Sequence, residues 1–176
     1  MISDAARQVF NLLAERSFRL AAAESCTSGM ISIAITDIPG ASKVFWGSLV
    51  CYSNEAKARV LGVDEGLLKR SGAASEDAAI AMAEGVLATS GADFAVAATG
   101  VAGPDGDGTG LPVGTVRFAV ARRGEGRATV VITASKFYGG DRTAVRDEAT
   151  EDALLLVAAC IRESEKTPFA PDRLLP

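Results

Sequence analysis

Histidine is absent from the 176-residue sequence. That removes the Ser-His-Asp and Cys-His arrangements of most nucleophilic hydrolases, together with the histidine-rich sites of most hydrolytic metalloenzymes. Any general base must then be a lysine, a carboxylate or a tyrosine. Cysteine is scarce as well. Cys26, Cys51 and Cys160 are odd in number and far apart, which suits neither a disulfide framework nor paired zinc-ligand spacing and points to free thiols. No apolar run approaches the ~20 residues of a membrane-spanning helix, and Met1 to Phe10 lacks the basic-then-apolar layout of a signal peptide. A cytoplasmic protein without a membrane partner is expected. The net charge is −4, from 18 basic and 22 acidic residues scattered along the chain. With no basic stripe to neutralise successive phosphates, nucleic-acid binding is disfavoured.

What is present is a large apolar fraction, 48% of residues, enough for one sizeable core. One domain over 1–166 is expected, followed by an irregular, proline-bearing tail at 167–176. Between Ser3 and Arg16, Ala6, Val9, Phe10 and Leu13 follow the spacing of an amphipathic helix. A short apolar segment, Arg19 to Ala23, reads as a buried strand. After Glu24-Ser25-Cys26-Thr27 a helical run ends near Asp37-Ile38-Pro39-Gly40. Val44 to Tyr52 reads as a second strand, and Asn54 to Leu61 as a short helix closed by Gly62. Asp64 to Arg70 adds a further turn or two. Ser75, with Glu76 and Asp77 behind it, caps a helix that runs to about Ser90 and stops at Gly91.

Ala92 to Ala98 is continuously apolar, as in a strand covered on both faces, and it leads into the glycine-rich stretch Thr99 to Gly114. Thr115 to Ala121 and Ala128 to Phe137, joined by the charged Arg122 to Arg127, form an expected antiparallel hairpin. Asp141 caps a long last helix whose apolar positions run from Val145 to Cys160. This alternation predicts an α/β fold: three α-β-α layers around a mixed, mostly parallel sheet, with a C-terminal antiparallel hairpin and then a long helix.

Five segments carry candidate chemistry, each with an ordinary structural role beside it. Ser25 and Thr27 lie where a strand gives way to a helix, a place for an N-cap or for hydroxyls and free N–H groups aimed at a ligand. Ser42 stands in a turn before a strand, either a plain turn serine or an exposed nucleophile. Lys57 falls at the start of a helix, where the macrodipole disfavours its charge. A neutral lysine there can take a proton from serine, with Tyr52 relaying or orienting it, unless Lys57 is simply solvated beside Glu55. The Thr99 to Pro104 stretch, with Gly100 and Gly103, can present backbone N–H groups to a phosphate or an oxyanion, whereas 105–110 reads as a surface loop. It lacks the ending of a P-loop and is followed by a strand rather than a helix. Arg142 opens the last helix as a two-pronged donor for an anion or as a helix-start salt bridge. Asp37, Asp105 and Asp107 lack the spacing of a calcium loop, so no metal and no cofactor is assigned.

Taken together, Ala23-Glu24-Ser25-Cys26-Thr27, Thr36-Asp37-Ile38-Pro39-Gly40-Ala41-Ser42, Tyr52-Ser53-Asn54-Glu55-Ala56-Lys57, Thr99-Gly100-Val101-Ala102-Gly103-Pro104 and Gly140-Asp141-Arg142 resemble the CinA C-terminal family, in order and in spacing. The resemblance covers the first helix to about Glu163. It departs at Ser28, where the family usually reads Glu-Ser-Cys-Thr-Gly-Gly. The activity it implies is hydrolysis of nicotinamide mononucleotide to nicotinate mononucleotide and ammonia, in pyridine-nucleotide salvage. On matching positions it implies Ser42 as the first choice of nucleophile, Lys57 as base and Tyr52 as helper. Ser25 is then the rival nucleophile or a substrate contact, and Thr27, Thr99, Gly100, Gly103 and Arg142 contact the substrate or the developing charge. A dimer or larger assembly is also implied. The alternative is a non-catalytic nucleotide-binding module acting in competence or the response to DNA damage, which would have no need of the lysine, the tyrosine and two serines.

Overall fold

The computed structural model describes residues 2–124 and 128–166. The expected tail at 167–176 and the hairpin tip at 125–127 lie outside them. Helix α1 (Asp4–Arg16) begins where the Ser3 hydroxyl accepts from the Ala6 N–H, and it ends on left-handed Ser17. Strand β1 (Leu20–Glu24), helix α2 (Met30–Thr36), a 3-10 turn at Ala41–Lys43 and strand β2 (Phe45–Val50) follow. Then come α3 (Asn54–Leu61), α4 (Glu65–Ser71), α5 (Glu76–Ser90), β3 (Phe94–Gly100), β4 (Thr115–Arg123), β5 (Ala128–Phe137) and α6 (Arg142–Lys166). Among the described residues no helix is long and apolar enough to cross a membrane.

Most boundaries fall where local chemistry places them. Ser53, Asp64 and Ser75 each cap the helix that follows them, accepting from the N–H of Ala56, Leu67 and Ala78. Asp141 accepts from Thr143 and Ala144 N–H, both at 2.9 Å, at the head of α6. Strands β2 and β3 shift by one or two residues from the sequence pattern, and two boundaries differ from it for a visible reason. Helix α2 starts only at Met30, because Ser28 (φ 50°) and Gly29 (φ 96°) are left-handed and a right-handed helix cannot include them. Strand β4 continues through Arg122 and Arg123, which pair with Thr129 and Ala128. The Arg123 guanidinium is held there by the Ala92 carbonyl, at 2.9 Å and 3.1 Å.

The sheet has the order β2-β1-β3-β4-β5. β1 is parallel to β2 and to β3, while the β3–β4 and β4–β5 pairs are antiparallel. β1, β2, β3 and β5 therefore share one direction and β4 opposes them, which is the expected mixed, mostly parallel sheet with a hairpin. Helices cover both faces, and the faces differ in the size of their side chains. Leu20, Phe94, Val96, Phe118 and Val120 meet α1, α2 and α6 on one side. Ala21, Ala23, Ala95, Ala97, Ala119 and Ala121 meet α5 on the other. The larger face gains about 1.5–3 kcal/mol for each fully buried Leu, Val or Phe. The alanine face gains by closeness instead, and α5 in turn lies close to α3, where a Cβ on Gly85 would strike the Leu61 carbonyl oxygen. With β1, β2 and β3 ending side by side, their C-terminal edge forms the crevice in which open α/β sheets bind ligands.

Candidate active site

The peptide after β1 turns sharply, and two of its side chains are buried for opposite reasons. Glu24 is fully enclosed. Its Oε2 accepts from Gly29 N–H (2.8 Å) and Ile31 N–H (3.1 Å), and its Oε1 from Ser32 N–H (3.1 Å), Ser32 Oγ (3.2 Å) and Ser48 Oγ (3.0 Å). The carboxylate thus satisfies the amide groups that a helix start leaves unpaired. Ser25, next in the chain, is tied by its N–H to the Ala98 carbonyl of β3 at 2.9 Å. Its hydroxyl faces the other way, toward Lys57.

Lys57 is 1% exposed, and its Nζ lies 2.9 Å from Ser25 Oγ, 3.1 Å from the Cys51 carbonyl and 3.1 Å from the Tyr52 carbonyl. Both carbonyls can only accept. A neutral amine has two N–H groups and one lone pair, so once the two carbonyls take the N–H groups, the lone pair is left facing the serine hydroxyl. Burial pushes the Lys57 pKa below its ordinary 10.5, partly opposed by the Cys51 and Cys26 thiols. The direction is the one expected from the sequence. The cause is desolvation, where the sequence had suggested the helix macrodipole.

The pair forms the inner wall of a cavity of about 330 Å³ that also touches Thr99, Gly100, Gly103 and Arg142. Thr99, 2% exposed, donates its hydroxyl to the Ala73 carbonyl at 2.7 Å. At Gly100 a Cβ would collide with the Thr115 carbonyl oxygen and come within 2.7 Å of Val116 Cα, so β4 can approach only a glycine. Arg142 donates to the Gly103 carbonyl (2.7 Å) and to the Tyr52 hydroxyl (3.0 Å), joining the glycine loop to the start of α3. Tyr52, 60% exposed, thereby stands at the mouth. Its side chain borders the cavity, while its carbonyl holds Lys57.

Of the residues singled out from the sequence, Ser25, Lys57, Tyr52, Thr99, Gly100, Gly103 and Arg142 come together around this cavity. Thr27 is fully buried beside it, and its hydroxyl has no hydrogen-bond partner. Ser42 is not brought to Lys57. It is exposed in the 3-10 turn that precedes β2, whereas Lys57 follows the end of that strand. The length of β2 separates them, roughly 17 Å at 3.3 Å per residue. Cys26, Asp105 and Asp107 line the cavity with no role assigned from the sequence, and Glu24 and Arg146 brace the loop beside it, also unassigned. The latter donates to the Cys26 carbonyl at 3.0 Å and the Thr27 carbonyl at 3.2 Å. Its signal was its place one turn after Arg142, on the same face of α6. Among the described residues no group of Cys, Asp and Glu is arranged to hold a metal ion.

Fold and cavity together define a three-layer α/β protein with a histidine-free serine–lysine cleft at the ends of its parallel strands. The model of the CinA C-terminal domain matches residues 2–161, and the chain belongs to that family. It is 48% identical over 148 residues to the nicotinamide-nucleotide amidohydrolase PncC of Escherichia coli strain K12, which covers 84% of this chain and 87% of that protein. It is 46% identical over 155 residues to a CinA-like protein of Mycobacterium marinum, covering 88% of this chain but only 35% of the relative. The chain thus spans about a third of the length of such longer relatives. The crystal structure of a competence-damaged protein (CinA) superfamily protein from Klebsiella pneumoniae superposes with a TM-score of 0.85 at 33% identity, over 91% of this chain and 97% of that one.

Proposed function

We propose that this chain is a nicotinamide-nucleotide amidohydrolase that converts nicotinamide mononucleotide and water to nicotinate mononucleotide and ammonia, with Ser25 as nucleophile and Lys57 as base. The observation that carries the proposal is the 2.9 Å contact between Lys57 Nζ and Ser25 Oγ at the inner end of the cavity. Ser42, preferred on the resemblance, gives way because the lysine beside it in the turn, Lys43, is exposed, whereas Lys57 is buried against Ser25. The substrate comes from the likeness to the E. coli amidohydrolase. Chemistry in the cleft agrees with it, since a buried amine faces a hydroxyl inside and a guanidinium stands at the mouth.

The reaction runs in two halves. The Lys57 lone pair takes the Ser25 proton as Oγ attacks the carboxamide carbon, and the negative charge on the amide oxygen is met by backbone N–H groups. The lysine ammonium then gives that proton to the departing nitrogen, which leaves as ammonia and an acyl ester on Ser25. Water enters, loses a proton to Lys57 and attacks the ester. The carboxylic acid leaves as Lys57 returns that proton to Ser25 Oγ, and it ionises to the carboxylate in water. Arg142 holds the phosphate end, Tyr52 borders the ring, and Thr99 with the glycine loop lines the inner wall. Action as a dimer or larger assembly, in the cytoplasm, belongs to the same proposal.

Ammonia release is measured side by side on nicotinamide, its riboside and its mononucleotide, after chelator treatment. Turnover confined to the mononucleotide is expected. Equal turnover of all three would remove the phosphate site from the proposal, and none with any of them would remove the reaction.

A further inference from the structure

Two charged side chains grip the loop that carries Ser25 from opposite sides, and neither lines the cavity. Glu24 gathers the amide groups of Gly29, Ile31 and Ser32. Arg146 gathers carbonyls, with Nε on Cys26 and one terminal nitrogen on Thr27, 120 and 119 residues away in sequence. The Ser25 carbonyl is taken by Ser28 Oγ at 2.9 Å and the Glu24 carbonyl by Cys51 N–H at 2.8 Å. The Thr27 carbonyl also accepts from Met30 N–H at 3.2 Å, so each carbonyl from 24 to 27 has a donor.

In a trans peptide the C=O and the following N–H point in opposite directions. Drawing the Cys26 and Thr27 oxygens toward α6 turns the Thr27 and Ser28 N–H groups away from it. The Thr27 amide approaches the Cys26 thiol, and Cys26 borders the cavity. We infer that Arg146 is a positioning residue for the proposed hydrolysis: its fork fixes the peptide planes after Ser25, so that amide donors rather than carbonyl oxygens face the group under attack. The inference rests on Ser25 being the nucleophile. A flipped peptide here would set a carbonyl dipole against the developing oxyanion, and one well-placed donor in such a hole is worth about 100-fold or more in kcat. A lysine can reach two successive carbonyls from one point, as Lys57 does at Cys51 and Tyr52, but it lacks the rigid fork that orients two peptide planes, so lysine is a poor substitute here.

The test uses Arg146→Ala and Arg146→Lys in the full chain. Ammonia release from the mononucleotide is expected to fall about 100-fold in kcat for Arg146→Ala with KM within about threefold, and by less for Arg146→Lys. Guanidinium ion added at millimolar concentration is expected to restore part of the lost kcat in Arg146→Ala. Unchanged kcat, a loss carried wholly in KM, or a loss that guanidinium leaves untouched would each overturn the inference. Labelling of Ser25 by a fluorophosphonate, mapped by mass spectrometry, separates this from the substrate reading. If wild type labels but releases no ammonia, the mononucleotide proposal falls while the inference is still decided, since slower labelling in Arg146→Ala supports it. Equal rates in the two proteins, or no labelling of Ser25 in wild type, overturns it.

Discussion

Ser25 and Ser42 sit at opposite ends of the same pair of parallel strands, and the difference between the ends is what separates a candidate nucleophile from an ordinary serine. At the C-terminal end β1, β2 and β3 stop together, and the chains leaving them enclose Ser25 and Lys57 against two carbonyl acceptors and a cavity. At the N-terminal end Ser42 lies in an exposed 3-10 turn. Ser25 follows an apolar strand and Ser42 a proline-glycine turn, yet each sequence is equally compatible with an ordinary cap or turn serine. What differs is the desolvated base, and only the closed end supplies one.

The comparison is broken most directly by exchanging residues at the closed end. Ser25→Ala and Lys57→Ala are each expected to lower kcat/KM for ammonia release by about a thousandfold or more, with far-ultraviolet circular dichroism unchanged. Activity near wild type in either variant removes the pair. A second effect, about tenfold per pH unit, is expected in the pH profile. Because burial lowers the Lys57 pKa, kcat/KM should climb with pH along a limb whose midpoint lies below 10.5. Stability carries the same signature. Between the folded pKa and the ordinary 10.5, the unfolded chain binds the extra proton, so unfolding free energy rises with pH across that window and levels off above it. Urea melts should show this slope in the difference between wild type and Lys57→Met, because the raised pKa values of the Cys51 and Cys160 thiols oppose it in both proteins.

A smaller effect is expected at Ser28, which holds a left-handed φ of 50° and returns a hydrogen bond to Ser25 O. Ser28→Ala keeps the strain and loses the bond, costing about 1 kcal/mol. Ser28→Gly loses the bond but relieves about 1–2 kcal/mol of strain, so its denaturation midpoint should stay near that of wild type. The smallest effect belongs to the open end: Ser42→Ala should leave kcat/KM within about twofold of wild type. A large loss there would erase the distinction between the two serines.

Local chemistry made most of the fold legible. Ser3, Ser53, Ser75 and Asp141 announce their helices, and the apolar run before Gly100 announces a strand covered on both faces. The site was legible where its residues lie on the segments leaving one strand, as with Ser25, or where glycine density marks a close approach, as at Gly100. It was illegible where strand direction decides. No pattern around Ser42 reveals that β2 runs parallel to β1 and carries that serine to the far end. Arg146 was illegible for a related reason, since its partners are more than a hundred residues away and a polar position on a helix face looks solvated until the opposite loop is in place. The source of the Lys57 shift was hidden too, because burial belongs to the assembled layers and not to a helix turn.

Glu24 has one further consequence. The start of a helix is usually an open berth for a ligand's negative end, and here that berth is already filled by the protein's own carboxylate. Glu24 lies outside the cavity lining, so for the proposed mononucleotide the start of α2 is closed to its phosphate and Arg142 is left as the cation at the rim. In that reading the phosphate would turn outward to the Arg142 guanidinium and the carboxamide would enter first, so the molecule would be read from one end only.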